Sequence, residues 1–342
     1  PKATELHKAM KIVLHSLAEL SLRYSEICTD KKLSDILKKV PLQAADTFYE
    51  AIQAVWFVFQ LCPDSLGRID QYLYPFYTKD IENKTLTKAE ASELLEELFV
   101  KVYETQMDNV ALPISGHNHL VVGGYLEDGS DGFNELSKII LECIAELPTF
   151  RPQASFRYTK YTTAETMEYI TKLNAKCQWI VFVNDEPRIP GMVDIGIEFK
   201  DAVNYTIVGC NEWSLPCGAR LDLAHINLLH SIEQLIYNDS DFLEANSYDD
   251  VFKLFKKHLK IDMLAIVEEY SNYSKAISND INVLNSALST SCIESGKSFT
   301  DKGTKYYGIT MSFNSISNAA DSLSVIKQFV FDEKIFTLAQ LY

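Results

Sequence analysis

The chain has 342 residues, 47% hydrophobic and 23% charged, with a net charge of −15. That length supports a substantial core, and the acidic balance argues against nucleic acid and anionic membrane, which both select basic surfaces. No apolar run approaches the ~18 residues that span a bilayer, and residues 1–8 hold no secretion-type apolar segment, so a cytoplasmic location is the expectation. Seven cysteines, an odd number in a long chain, speak against a disulfide framework.

Residues 1–28 carry apolar positions at helical spacing, and Pro41 breaks a second helical stretch. Thr47 and Glu50 form a capping box ahead of a helix, Phe48–Leu61, that is apolar almost all round and therefore buried. A loop with Pro63 and Gly67 leads into an aromatic-rich segment ending at Tyr77. Thr87 and Glu90 cap the next helix, whose apolar face uses Leu94, Leu98 and Val102. A short strand at 120–123 precedes the turn Glu127-Asp128-Gly129. Asn134 then starts a helix to about Leu147, with Cys143 in its apolar pattern. Residues 154–159 alternate like a strand, Thr162 and Glu165 cap a helix to about Ala175, and 179–183 is a strand. Residues 205–208 read as a strand, 221–237, 249–270 and 278–292 as helices, 308–313 as the last strand and 318–330 as the last helix.

Strands thus alternate with helices, which favours an α/β arrangement with a parallel-type sheet inside and helices outside. The chain reads as one compact domain. Its five predicted strands are too few for a closed eightfold barrel.

The stretch Y-T-I-V-G-C-N-E-W-S-L-P-C-G at 205–218 organises the rest. A strand ends at Gly209, which permits a turn or a close approach; Cys210 follows, and Glu212 shares its loop, with a helix expected behind. A sulfur that performs chemistry beside a carboxylate that moves a proton is one reading. A buried thiol with a solvated glutamate is the other. No histidine neighbours Cys210 in sequence, so a nucleophilic pair would need a spatial partner such as His117. Cys210, Cys217, His225 and His230 fit no compact zinc spacing. His117 and His119 flank Asn118, and a polar role for one of them is expected rather than a metal pair. Arg157, in an otherwise apolar strand, calls for an ion pair with an acid, or for a bound anion, and on the second reading it is a candidate substrate contact. Gly123-Gly124 follows a strand but lacks a phosphate-loop lysine.

Several segments together resemble the glycyl radical enzymes of the pyruvate formate-lyase-like family. They are S-L-G-R-I-D-Q-Y-L-Y-P-F-Y at 65–77, G-G-Y-L-E-D-G-S-D-G-F-N-E-L-S at 123–137, F-V-N-D-E at 182–186, V-G-C-N-E at 208–212 and N-A-A-D-S-L at 318–323, in family order. The resemblance implies a ten-stranded α/β barrel around a cysteine finger, with residues 1–342 supplying about one half-barrel and the finger. It implies a thiyl radical at Cys210, with Glu212 as acid or base. Asp222 lies near the place of a substrate-hydroxyl contact, and Trp213 hints at a larger or aromatic substrate, so both join His117 and Arg157 as candidate substrate contacts. Formate-lyase branches carry adjacent cysteines where this chain has Gly209-Cys210, so acyl transfer to coenzyme A is disfavoured. Dehydratases also carry a His-Ser pair before the G-R-x-D-Q-Y motif, and here Cys62-Pro63-Asp64-Ser65 has no histidine.

The implied partners are a small-molecule substrate, a radical S-adenosylmethionine activating enzyme that installs a glycyl radical, and a second copy in a homodimer. No cofactor or metal bound by this chain is implied. The family's R-V-x-G-Y radical loop does not occur in the sequence, which reads as a central piece of a longer protein. The expectation is an anaerobic lyase of dehydratase or decarboxylase type. The alternatives are a non-catalytic piece that binds small molecules or partners, and a thiol or metal protein using Cys210 and Cys217.

Overall fold

A computed structural model of the chain describes residues 4–63, 65–107, 118–149, 151–209 and 212–342. The chain divides into two compact units, Pro1–Ala219 with Asn282–Tyr306, and Arg220–Ile281 with Tyr307–Tyr342.

In the first unit, β1 (Ser65–Gly67), β2 (His119–Gly123), β3 (Ala154–Tyr158) and β4 (Ile180–Asn184) form a parallel sheet in that order. Side chains alternate across it. Leu120, Val122, Ala154, Phe156 and Ile180 share the larger core with the helices Phe48–Leu61, Lys88–Met107, Glu135–Glu146 and Ala164–Cys177. The intervening Val121 and Val183 join a second core with Tyr205, Ile207 and Leu215. That core lies under β5 (Thr206–Val208) and β6 (Glu212–Ser214), an antiparallel pair with Val208 opposite Glu212 and Ile207 opposite Trp213. The capping boxes at Thr47/Glu50 and Asn134/Ser137 are both formed.

The expected helix at 221–237 is corrected. Residues Gly218–Asn227 form β7, and the helix is Leu228–Asn238, capped by Asn227. Ala219, Leu221 and Leu223 alternate with period two, and helical spacing starts only at Leu228, continuing through Ile232 and Leu235. So the stretch after Gly218 continues as strand, not as helix. β7 pairs with β8 (Tyr306–Asn314). The second unit packs Ile232, Leu235, Phe242, Val251, Phe255 and Leu323 into its own core. Its long helix runs over Tyr248–Ile277, and Ile316–Val325 passes into π-helical turns at Ile326–Asp332. Residues 278–292 do not form one helix; Val283–Ala287 and Thr290–Ser295 are separate short ones.

Candidate active site

β5 stands outside the parallel sheet's ladder, and side chains fasten it there. Ser65 Oγ lies 2.8 Å from Ile207 O and 3.1 Å from His119 O, so one hydroxyl joins β1, β2 and β5. Arg157 Nη1 donates to Val203 O at 3.0 Å and to Tyr205 O at 2.9 Å. Its Nε and Nη2 donate to the two oxygens of Asp185, at 2.9 and 2.7 Å. Both side chains of this ion pair are fully buried. Tyr205 Oη donates to Asp185 at 2.6 Å, and the Tyr125 N–H to the same carboxylate at 3.1 Å. An arginine so deep in apolar surroundings is tolerable because both its charge and its donors are matched. Arg157 is thus committed to an acid and to the backbone at the foot of the finger.

Two of the motifs are one clasp. Arg68 donates to Val203 O and Gly123 O at 2.8 and 2.9 Å. Asp70 accepts from the Gly123 N–H at 2.7 Å and from Ser137 Oγ at 2.6 Å, and Gln71 donates to Gly132 O at 2.8 Å. Burial pushes the Asp70 carboxyl up to about 6 and, with the nearby Arg157 charge, brings Arg68 down to about 10. Gly124 has φ +80°, and a Cβ there would lie 2.6 Å from the Arg157 guanidinium carbon. The paired glycines therefore serve close packing over an arginine rather than a phosphate.

Gly209, with φ +59°, turns the chain at the end of β5. A Cβ at Gly209 would overlap the Glu212 carboxylate, so Glu212 is folded back against the residue that precedes Cys210. Trp213 is half-buried and packs on the second core. Cys210 and His117 lie outside the described residues. Asp222 is on β7 in the second unit, so its expected place one helical turn from His225 is corrected; both are on the strand. Among the described residues no three candidate ligands gather into a metal site.

The chain belongs to the pyruvate formate lyase-like family. It matches that family over residues 3–342. It is 28% identical to (2S)-3-sulfopropanediol dehydratase of Klebsiella oxytoca over 86% of this chain and 40% of that protein. It is 28% identical to trans-4-hydroxy-L-proline dehydratase of Clostridioides difficile over 98% of this chain and 48% of that one. A solved structure for 1,2-propanediol dehydration in Roseburia inulinivorans superposes with a TM-score of 0.81 at 25% identity, covering 96% of this chain and 46% of that one. The chain therefore spans less than half the length of these relatives. The α/β class and the family resemblance drawn from the ordered motifs both hold.

Within the family motifs, sequence reasoning missed the anchors Ser65, Arg68, Asp70 and Asp185. The available signal was charge between apolar neighbours, as in L-G-R-I-D, where an unburied strand end has no need of it.

Proposed function

We propose that this chain is the core of an anaerobic glycyl radical lyase of dehydratase or decarboxylase type, with a thiyl radical at Cys210 and Glu212 moving the proton. The observation that carries the reading is the Glu212 carboxylate folded onto Gly209, next to Cys210, on a hairpin anchored at its foot. Two dehydratases among the relatives support the branch.

In the dehydratase form, the Cys210 sulfur takes a hydrogen atom from a substrate C–H and becomes a thiol. The substrate carbon keeps the unpaired electron. Glu212 takes the proton of the hydroxyl on that carbon as hydroxide leaves the neighbouring carbon, and proton and hydroxide depart as water. The product radical then recovers a hydrogen atom from the Cys210 thiol, so no net oxidant or reductant is consumed. Positioned acid–base groups contribute ~100- to 10,000-fold to such a step. Asp222, Trp213 and His117 are the residues we assign to the substrate. Arg157 acts on the finger's foot.

The starting glycyl radical belongs on an R-V-x-G-Y loop of the full-length protein, installed by a radical S-adenosylmethionine activating enzyme. In that protein the parallel sheet would form part of one half-barrel, in a homodimer. The test is an anaerobic assay of the activated full-length protein with vicinal diols, hydroxyprolines, sulfonates and arylacetates. Release of water, sulfite or carbon dioxide is expected; formation of an acyl-coenzyme A instead would overturn the reading.

A further inference from the structure

A hairpin with three residues per strand does not hold its own position, and β5 and β6 have that size. Ser65 and Arg157 fix β5. A different segment, ending at Tyr306, reaches both outer ends of the hairpin. Tyr306 N–H donates to Cys217 O at 3.3 Å, just past β6. Tyr306 Oη donates to Asp201 Oδ2 at 2.8 Å and accepts from the Glu198 N–H at 2.9 Å. Lys305 Nζ pairs with Asp201 at 2.5 Å and with Glu198 at 2.7 Å. Asp201 belongs to the short helix Phe199–Ala202, which leads into β5. Burial, with the Asp201 carboxylate nearby, holds the Cys217 thiol up at about 11, so it stays protonated.

We infer that Lys305 and Tyr306 are positioning residues that close the foot of the finger, tying the entry of β5 to the exit of β6 through Asp201 and Cys217. Two properties favour this over plain packing. The contacts are charge-assisted hydrogen bonds with fixed directions, and Lys305 keeps a third of its side chain exposed, which a packing role would not require. The function assigned to these residues rests on the lyase reading, because a sulfur displaced by about 1 Å loses its approach to a substrate C–H. The clasp itself is a matter of geometry.

The test compares Tyr306→Phe and Lys305→Met in the full-length protein, with Lys200→Met as control; Lys200 meets Glu198 in an exposed pair at 3.2 Å. Amide hydrogen exchange is read at 206–209 and 212–214 and, as internal reference, across β2 and β3. Each clasp variant is expected to speed exchange in the finger by about tenfold, with the reference strands unchanged. In the activated protein kcat falls while the glycyl radical signal per protein is retained. Where Tyr306→Phe fails to fold, Lys305→Met carries the comparison, since its ammonium is partly solvated. Unchanged finger exchange, or an equal rise in every strand, overturns the clasp. Faster finger exchange in variants of a protein that never turns over supports the clasp and sinks the lyase reading, so the two fail separately.

Discussion

Arg157 stacks on the ring of Tyr205, with its guanidinium carbon 3.8 Å from the ring centroid, and both side chains end on the carboxylate of Asp185. Three residues, from β3, from just past the end of β4 and from the residue before β5, thereby hold the root of the strand that leads to Cys210. A buried charge that loses its partner costs about 3–5 kcal/mol, far more than an exposed pair. Asp185→Asn should therefore lower stability by about that amount in urea unfolding, and Arg157→Met combined with Asp185→Leu should recover most of it. A loss under about 1 kcal/mol for Asp185→Asn would show that the pair is not the anchor described.

The glycine pair makes a sharper contrast. Gly124→Ala meets the Arg157 guanidinium and keeps φ +80°, so strain and overlap together should cost about 2–5 kcal/mol. Gly129 has φ +81° but nothing within 4 Å of an added Cβ, and its change to alanine should cost only about 1 kcal/mol. Thermal unfolding of the two variants side by side checks the ranking; equal losses would mean that Arg157 yields.

Asp70 predicts a pH dependence. Its carboxyl is raised by burial to about 6 when folded, against about 3.9 in an unfolded chain. The folded state then holds the proton more tightly, so the contribution is fully present below about pH 4 and is lost as pH rises through about 6. Relative to Asp70→Asn, the native chain should lose about 2–3 kcal/mol between pH 4 and pH 7. A pH-independent difference between the two would place the carboxylate in a solvated setting.

How far these relationships could be read beforehand follows from their range. The capping box at Thr47/Glu50 and the helix start at Asn134 were legible because a cap is settled within four residues, whereas the cap expected at Thr162/Glu165 falls one residue later, on Thr163, which accepts from the Thr166 N–H. β2, β3 and β4 were legible from apolar content between turn signals. β1 and β6 were not, since S-L-G and E-W-S lack the β-branched apolar run that marks T-I-V in the equally short β5. β7 was misread because Leu221 and Leu223 run straight into the helical spacing that begins at Leu228. The division into two units was hidden because Asn282–Tyr306 returns to the first unit late in the chain. At the site, Gly209, Cys210 and Glu212 stood out as a local pattern. Ser65, Arg68, Asp185, Lys305 and Tyr306 act over separations that no sequence window spans.

The central claim is that Cys210 carries the radical and Glu212 the proton. It is tested most directly by electron paramagnetic resonance on the anaerobically activated full-length protein and its Cys210→Ala and Glu212→Gln variants, with turnover measured on the same samples. The account predicts that the glycyl radical forms in all three. Cys210→Ala should give no product, while Glu212→Gln should still exchange hydrogen with substrate but form product ~100- to 10,000-fold more slowly. Turnover by Cys210→Ala, or normal turnover by Glu212→Gln, would contradict it.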